Sequence, residues 1–294
     1  MAAEPGFSRR TRIGRALIVT GVRSLGPLRR PFAELVGALW YASRPRVERR
    51  RTAQNHRRLN PALDATAAER LARRSFHEYV AMIVDSIWAD ALRNAQIMNR
   101  IRVIGRENLE VGERGGILTI SHFGNWDMAA SAALAMGLQM TTVMAQIISP
   151  ALTEMVMLSR HMKGLELYTP SQAARGLLRA LRRGRFVALM ADVPEAGPTV
   201  IVPYCGGEVR FSAVPARLAF ATGAAILPVA CWRESDHWVL EIHPPVTVDP
   251  EEGEAALMTR VAQVLEPAVR RHPEQWYPFH DVYVDGDERP PTSS

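Results

Sequence analysis

The apolar positions of this chain follow two rhythms. From residue 8 to about residue 100 they recur every three or four residues, the period of a helix buried on one side. Arg29-Arg30 precede Phe32, Leu35, Val36, Leu39, Trp40 and Tyr41, and Arg9, Arg10, Arg12 and Arg15 lead into Ala16-Leu17-Ile18-Val19. The stretch 46–100 reads as helical, broken at Pro61 and restarted at Asp64, with Phe76, Val80, Ile83, Val84 and Ile87 as its apolar stripe. From residue 101 short apolar runs alternate with amphipathic ones. The pattern predicts strands at 101–104, 115–121, 140–147, 186–191, 199–204, 224–232 and 238–243. It predicts helices at 126–137, 150–162, 171–183, 211–222 and 254–271. Such alternation implies an α/β fold: a mostly parallel central sheet flanked by helices, with an N-terminal helical segment. The expected division is a basic amphipathic segment at 1–45, a main domain at 46–283 and a polar, disordered tail at 284–294.

Residues 1–45 combine arginines, aliphatic residues and interfacial aromatics, which suits a helix lying on an anionic membrane surface. The same pattern fits a helix packed on its own domain with a solvated arginine face. The early apolar run is cut by Arg23, Pro27, Arg29, Arg30 and Pro31 before it is long enough to span a bilayer. Met128 to Ile148 forms a longer uncharged stretch, read as a buried helix rather than a span because it is rich in Ala and Gly and contains Thr141 and Gln146.

Composition narrows the function. With 294 residues, 47% hydrophobic and 22% charged, the chain can bury a sizeable core. Cys205 and Cys231 give neither a disulfide framework nor a metal-ligand spacing, so a reducing compartment is expected and no metal. The net charge is +6, and Lys163 is the sole lysine. A basic chain suits an anionic lipid surface or an acidic, phosphate-bearing donor. Nucleic acid is set aside, because no zinc-finger, RNP or KH pattern accompanies the arginines.

The candidate chemistry lies in ILTISHFGNWDMAA, residues 117–130. An aliphatic strand ends at Ser121-His122, a Gly124-Asn125 turn follows, and an Ala-rich helix begins. His122 and Asp127 therefore flank a strand-to-helix turn. An imidazole there can take a proton from a hydroxyl while a carboxylate orients it. Asp127 is the expected partner, and backbone N–H groups around Gly124 and Asn125 are the expected oxyanion donors. A His-x-x-x-x-Asp string also arises by chance, and a histidine at a strand end commonly just packs. The surrounding strand, turn and helix give the motif its weight. The chain lacks a G-x-S-x-G elbow, consistent with direct attack by an acceptor hydroxyl.

The string His-Phe-Gly-Asn-Trp-Asp resembles the signature of the glycerolipid and lipid A acyltransferase superfamily. It is closer to the branch containing lipid A lauroyl/myristoyl and phosphatidylinositol mannoside acyltransferases. Further segments carry the resemblance over roughly residues 45–283. MLSRHMKGLELY places Arg160 where the family has an arginine suited to a phosphate, and VALMAD ends at Asp192, near the family's active-site aspartate. Val193 stands where the family usually has Gln or Arg, and Glu195 is a second acid in that loop. In the stretch 203–229, Tyr204, Gly206, Pro215, Thr222-Gly223-Ala224 and Pro228 match, with Arg210 and Ser212 near an acceptor's polar head. PEQWYPFHDVY resembles the family's closing Trp segment, with His280 read as packing or capping.

The resemblance implies an O-acyltransferase with His122 as base, Asp127 as its partner, and Arg160, Asp192, Asn125 and Arg210 as substrate-binding candidates. It implies no cofactor. The donor would be acyl-CoA or acyl-carrier protein, and the acceptor a membrane glycolipid or phospholipid. The expected place is the cytoplasmic face of a plasma membrane. An ester or thioester hydrolase using the same dyad, or an inactive lipid-binding protein on the same fold, are the alternatives.

Overall fold

Start signals in the sequence set the helices of the N-terminal third. Asp64 caps its helix by accepting the Ala67 N–H at 2.7 Å, and Ser8 caps the first helix through Thr11 N–H at 3.0 Å. The computed structural model describes residues 6–111, 115–147, 149–194 and 197–284. Glu195 and the residues from 285 onward lie outside these. Helices α1 (Arg9–Ser24), α2 (Arg29–Ser43), α3 (Arg46–Leu59), α4 (Ala65–Ala89) and the short α5 (Asn94–Met98) come first. The break between α1 and α2 falls at Gly26-Pro27, where proline removes a helix donor.

The rest of the chain alternates. Its elements are β1 (Ile101–Ile104), β2 (Ile117–Ile120), α6 (Trp126–Ala135), β3 (Met140–Val143), α7 (Pro150–Met162), β4 (Glu166–Tyr168), α8 (Pro170–Arg182) and β5 (Phe186–Met190). Then follow β6 (Thr199–Tyr204), β7 (Gly207–Ser212), α9 (Val214–Thr222), β8 (Ile226–Glu234), β9 (His237–Ile242) and α10 (Glu254–Arg271). Seven strands form one sheet in the order β1-β9-β8-β2-β5-β3-β4. The pairs are parallel except β8 with β9. The expected mixed α/β architecture with a mostly parallel sheet is therefore present.

The central strands are apolar on both faces because helices cover both. Ile117, Val187 and Ile226 face α8, α9 and α10 through Leu177, Leu181, Ala216, Ala219, Leu257 and Val261. Leu118, Met140 and Leu227 face α5 and α6 through Ile97, Met128 and Ala132. Each fully buried aliphatic side chain contributes about 1.5–3 kcal/mol. A smaller cluster, Ala33 with Val80, Ala81 and Val84, joins α2 to α4.

Three elements depart from the sequence reading. The strand at 199–204 is not in the central sheet; it pairs antiparallel with β7, and the turn Cys205-Gly206 joins them. β7 takes the first residues assigned to a helix at 211–222, and α9 starts only at Val214, with Pro215 inside its first turn. β4 was not foreseen; three residues are too short to show a period. The uncharged stretch from Met128 is divided: α6 ends at Ala135, Gly137 turns at φ +91°, and β3 begins at Met140. Its last residue, Ile148, lies outside the described residues. Among the described residues no helix is long and apolar enough to cross a membrane. Of the predicted α4 stripe, Phe76, Val80 and Val84 are buried, Ile87 is half-buried and Ile83 is exposed.

The arginines of α1 and α2 divide into two sets. Arg15 pairs with Asp90 at 3.1 Å, Arg29 with Asp85 at 2.9 Å and Arg30 with Glu78 at 3.2 Å, so these three fasten the helices to α4 and its end. Asp85 is 2% exposed and also receives Arg233 at 3.0 Å, so its buried charge is neutralised from two sides. Arg9, Arg10, Arg12 and Arg23 point to solvent. The same two helices leave Ile13, Leu17, Leu35 and Leu39 exposed, and Leu28 in the turn between them is exposed too.

Candidate active site

Sheet register brings the site together. β2 pairs with β5 so that Ile120 stands opposite Met190, and Ala191 N–H donates to the Ile120 carbonyl at 2.9 Å. Two residues further along each strand are His122 and Asp192. Both lie at the carboxyl ends of parallel strands, the edge where open α/β sheets bind ligands. The Asp192 carboxylate accepts the His122 backbone N–H at 2.9 Å through each oxygen. Asp192 Oδ1 also lies 2.9 Å from His122 Nδ1. The Asp192 side chain is 5% exposed and the His122 side chain 31% exposed. A buried carboxylate thus holds Nδ1, while no described residue hydrogen-bonds Nε2. The arrangement favours a proton on Nδ1 and a lone pair on Nε2.

This corrects the expected partner. Asp127 does not hold the ring; it accepts Arg160 Nε at 3.0 Å. The reason is local. After His122 the chain turns through Gly124 at φ +61°, where a Cβ would run into the Cys231 carbonyl. Asp127 then falls in the first turn of α6, a position where the helix dipole favours a carboxylate. There it faces the last turn of α7, which carries Arg160. The Asp127 and Arg160 side chains are 24% and 21% exposed, so the pair is open to a ligand from one side.

Asn125 is also corrected. Its side chain caps α6, accepting Met128 N–H at 2.8 Å and the Ser86 hydroxyl at 3.1 Å, and the residue is 3% exposed. Its backbone N–H donates to the Cys231 carbonyl at 2.7 Å, and the Gly124 N–H to the Gln275 carbonyl at 2.8 Å. Neither N–H is free for an oxyanion. The buried turn has to satisfy its own peptide groups, and it uses these two to do so.

Arg210 lies half-buried on β7, opposite Ile201, with no ion pair among the described residues. The hairpin is tied to the site by Ser212 N–H donating to the Ala191 carbonyl at 2.8 Å, one residue from Asp192. Ser212 itself is buried. Lys163 bonds Asp90 at 2.7 Å and the Ser131 hydroxyl at 3.0 Å, fixing the end of α7.

Sequence reasoning missed the aromatic surround and the contact of the closing segment with the His122 turn. The Trp126 ring lies 5.5 Å from the His122 ring, edge-on, and Tyr79 lies 6.5 Å from Trp126. Burial raises the Tyr79 pKa, and the Asp127 charge raises it further. His280 is half-buried near the pair: burial lowers its pKa, the Asp192 charge opposes this, and the His122 charge adds to it. The visible signal for both was Trp126 inside the motif and the aromatic density of residues 276–283. A cavity of about 280 Å³ opens at the carboxyl end of β3, lined by Phe7, Pro150 and Met157 with Gln146, Thr153 and Glu154. Among the described residues no group of three His, Cys, Asp or Glu side chains is placed to hold a metal ion.

Comparison with known proteins places this geometry in context. The sequence profile of the family described as bacterial lipid A biosynthesis acyltransferase matches residues 13–283. A phosphatidylinositol mannoside acyltransferase of Mycobacterium tuberculosis (strain CDC 1551 / Oshkosh) is 32% identical over 168 residues, 55% of this chain and 52% of that protein. The chain thus spans about half the length of the M. tuberculosis relatives it matches. The protein of the same name from Mycolicibacterium smegmatis is 27% identical over 236 residues, covering 76% of this chain and 77% of that one. Among solved structures, the 1-acyl-sn-glycerophosphate acyltransferase PlsC of Thermotoga maritima superimposes with a TM-score of 0.40 at 15% identity, over 88% of this chain and 97% of that one.

Proposed function

Because the chain belongs to the bacterial lipid A biosynthesis acyltransferase family, we propose that it transfers a fatty acyl group from a thioester to a hydroxyl of a membrane lipid. The observation that carries this is the His122 ring, held at Nδ1 by buried Asp192, with Nε2 unbonded among the described residues at the sheet edge. Nε2 takes the hydroxyl proton as the oxygen attacks the thioester carbonyl. The tetrahedral intermediate collapses, the C–O bond is kept and the C–S bond breaks. The imidazolium returns its proton to the departing thiolate. Asp192 holds the ring and stabilises its charged form.

The donor is acyl-CoA or acyl-carrier protein. The acceptor is a glycolipid or phospholipid, and a phosphatidylinositol mannoside is favoured because two of the relatives above carry that name. Asp127 and Arg160 flank the acceptor side, and Arg210, with no ion pair among the described residues, offers a cation to a phosphate or polar head. The cavity along α7 offers apolar room for part of the chain. The exposed Ile13, Leu17, Leu35 and Leu39, with Arg9, Arg10, Arg12 and Arg23 beside them, would rest on an anionic membrane surface. Donors of this class place the work on the cytoplasmic face of a plasma membrane.

The test is transfer by purified protein to lipid acceptors in anionic vesicles, read by mass spectrometry, beside the lipids of cells with and without the gene. A product one acyl chain heavier, lost in His122→Ala with the fold kept, is expected. Free fatty acid as the main product would make the protein a hydrolase. Normal turnover by His122→Ala would remove the mechanism.

A further inference from the structure

The segment 275–280 lies against the back of the His122 turn, and its bonds fall on the peptide groups of that turn. Phe123 and Trp276 form an antiparallel bridge. Gly124 N–H donates to the Gln275 carbonyl at 2.8 Å, and Tyr277 N–H to the His122 carbonyl at 3.2 Å. The Tyr277 hydroxyl donates to the Gly124 carbonyl at 3.0 Å. This last is the single side-chain bond from the segment to the turn among the described residues.

The segment is itself immobilised from both sides. The Gln275 amide brackets the Arg233 peptide, accepting its N–H at 2.8 Å and donating to its carbonyl at 2.9 Å. Asn55 on α3, 6% exposed, spends both protons of its amide on the Pro278 and His280 carbonyls at 3.0 and 2.9 Å. The strap is thus tied to β8 at one end and to α3 at the other. Tyr277, 4% exposed, packs edge-on against Tyr79 at 5.0 Å and Trp126 at 6.1 Å. Its ring cannot swing away, so its hydroxyl is a fixed support.

We infer that Tyr277 is a positioning residue for acyl transfer: from behind the turn it fixes where the His122 imidazole stands relative to Asp192 and the incoming hydroxyl. The His122 ring hangs from a backbone held at residue 122 by Asp192 in front and by residues 275–277 behind. Removing the phenol oxygen leaves the Gly124 carbonyl buried without that donor, and the turn must shift or admit water to satisfy it. A small displacement of a general base is enough to slow a reaction that depends on a short proton transfer. Tyr277 touches no substrate in this account. Its loss should therefore lower kcat and leave binding alone, whereas a purely structural tyrosine would lower the folded fraction and leave the kcat of the folded protein unchanged.

The inference rests on His122 being the base, and the experiment separates the two. Steady-state transfer would be compared for wild type, His122→Ala, Tyr277→Phe and Asn55→Ala, with active protein counted by folded fraction. Tyr277→Phe is expected to lose about tenfold in kcat with donor and acceptor KM within twofold. Asn55→Ala is expected to lose less, in the same parameter, because it acts one tether further away. If Tyr277→Phe folds and turns over within twofold of wild type while His122→Ala is dead, the positioning role is overturned and the base stands. A rise in KM with kcat unchanged also overturns it, by making Tyr277 a binding residue. If His122→Ala retains full transfer, the base itself falls and the positioning role falls with it. Should Tyr277→Phe fail to fold, Asn55→Ala and Gln275→Glu decide by the same split.

Discussion

Asp192 and Asp127 stand on opposite flanks of one turn and hold different partners. Asp192 is buried, follows a β-strand, and bonds both the backbone and the ring of His122. Asp127 is partly open, begins a helix, and pairs with Arg160. Five residues separate Asp127 from the histidine, seventy separate Asp192, yet the distant one meets the imidazole. Closeness along the chain places a side chain on a turn; register in a parallel sheet decides which side chains meet. A buried carboxylate with few other bonds can orient an imidazole, whereas an exposed one already paired to a guanidinium is suited to contact a ligand. His56 gives the contrast from the other direction. Its Nε2 bonds the Ser75 hydroxyl at 2.9 Å, its Nδ1 is buried without a partner among the described residues, and burial lowers its pKa to about 3. Buried without a carboxylate, His56 is a neutral packing group.

The contrast between the aspartates can be broken most sharply at Asp192. Asp192→Asn keeps the shape but removes the charge that fixes the ring tautomer, and kcat should fall about a thousandfold, some 4 kcal/mol of transition-state stabilisation. A loss under tenfold in steady-state transfer would show that the ring does not need Asp192. Asp127→Asn should cost about tenfold, chiefly in the KM for the acceptor, and Arg160→Gln combined with it should add little, because the two share one contact. Full additivity of that pair in a double-mutant cycle would mean that each meets substrate separately. The smallest effect sharpens the reading of the turn. Asn125→Ala removes a helix cap and should cost about 1 kcal/mol of stability in denaturant unfolding, with kcat per folded molecule changed less than threefold. A loss of a hundredfold or more would show that the Asn125 side chain also meets the reacting groups.

Much of the fold was legible because periodicity reports burial. The strand before His122 was visible as an aliphatic run, and the capped helix from Asp64 and the helix at 254–271 as patterns of three to four. The hairpin of β6 and β7 was not, since a strand on a small separate sheet carries the same alternation as one in the centre. His122 was legible through the strand–turn–helix context, and Asp192 as an acid closing an apolar strand. Their pairing was not, because register is a property of the assembled sheet. Asn125 misled for a related reason: a turn residue before a helix looks free in sequence, while its N–H is consumed by Cys231 from β8. The strap at 275–280 was legible as a closing Trp segment, but its hold on the turn was not, because its bonds are mostly backbone, which no residue type announces.

The pairing of His122 with Asp192 can be observed without turnover, by nitrogen NMR of protein labelled at histidine. The pairing predicts that neutral His122 carries its proton on Nδ1 in the wild type and in Asp127→Asn, and that this preference is lost in Asp192→Ala. An unchanged tautomer in Asp192→Ala, or its loss in Asp127→Asn, would contradict it.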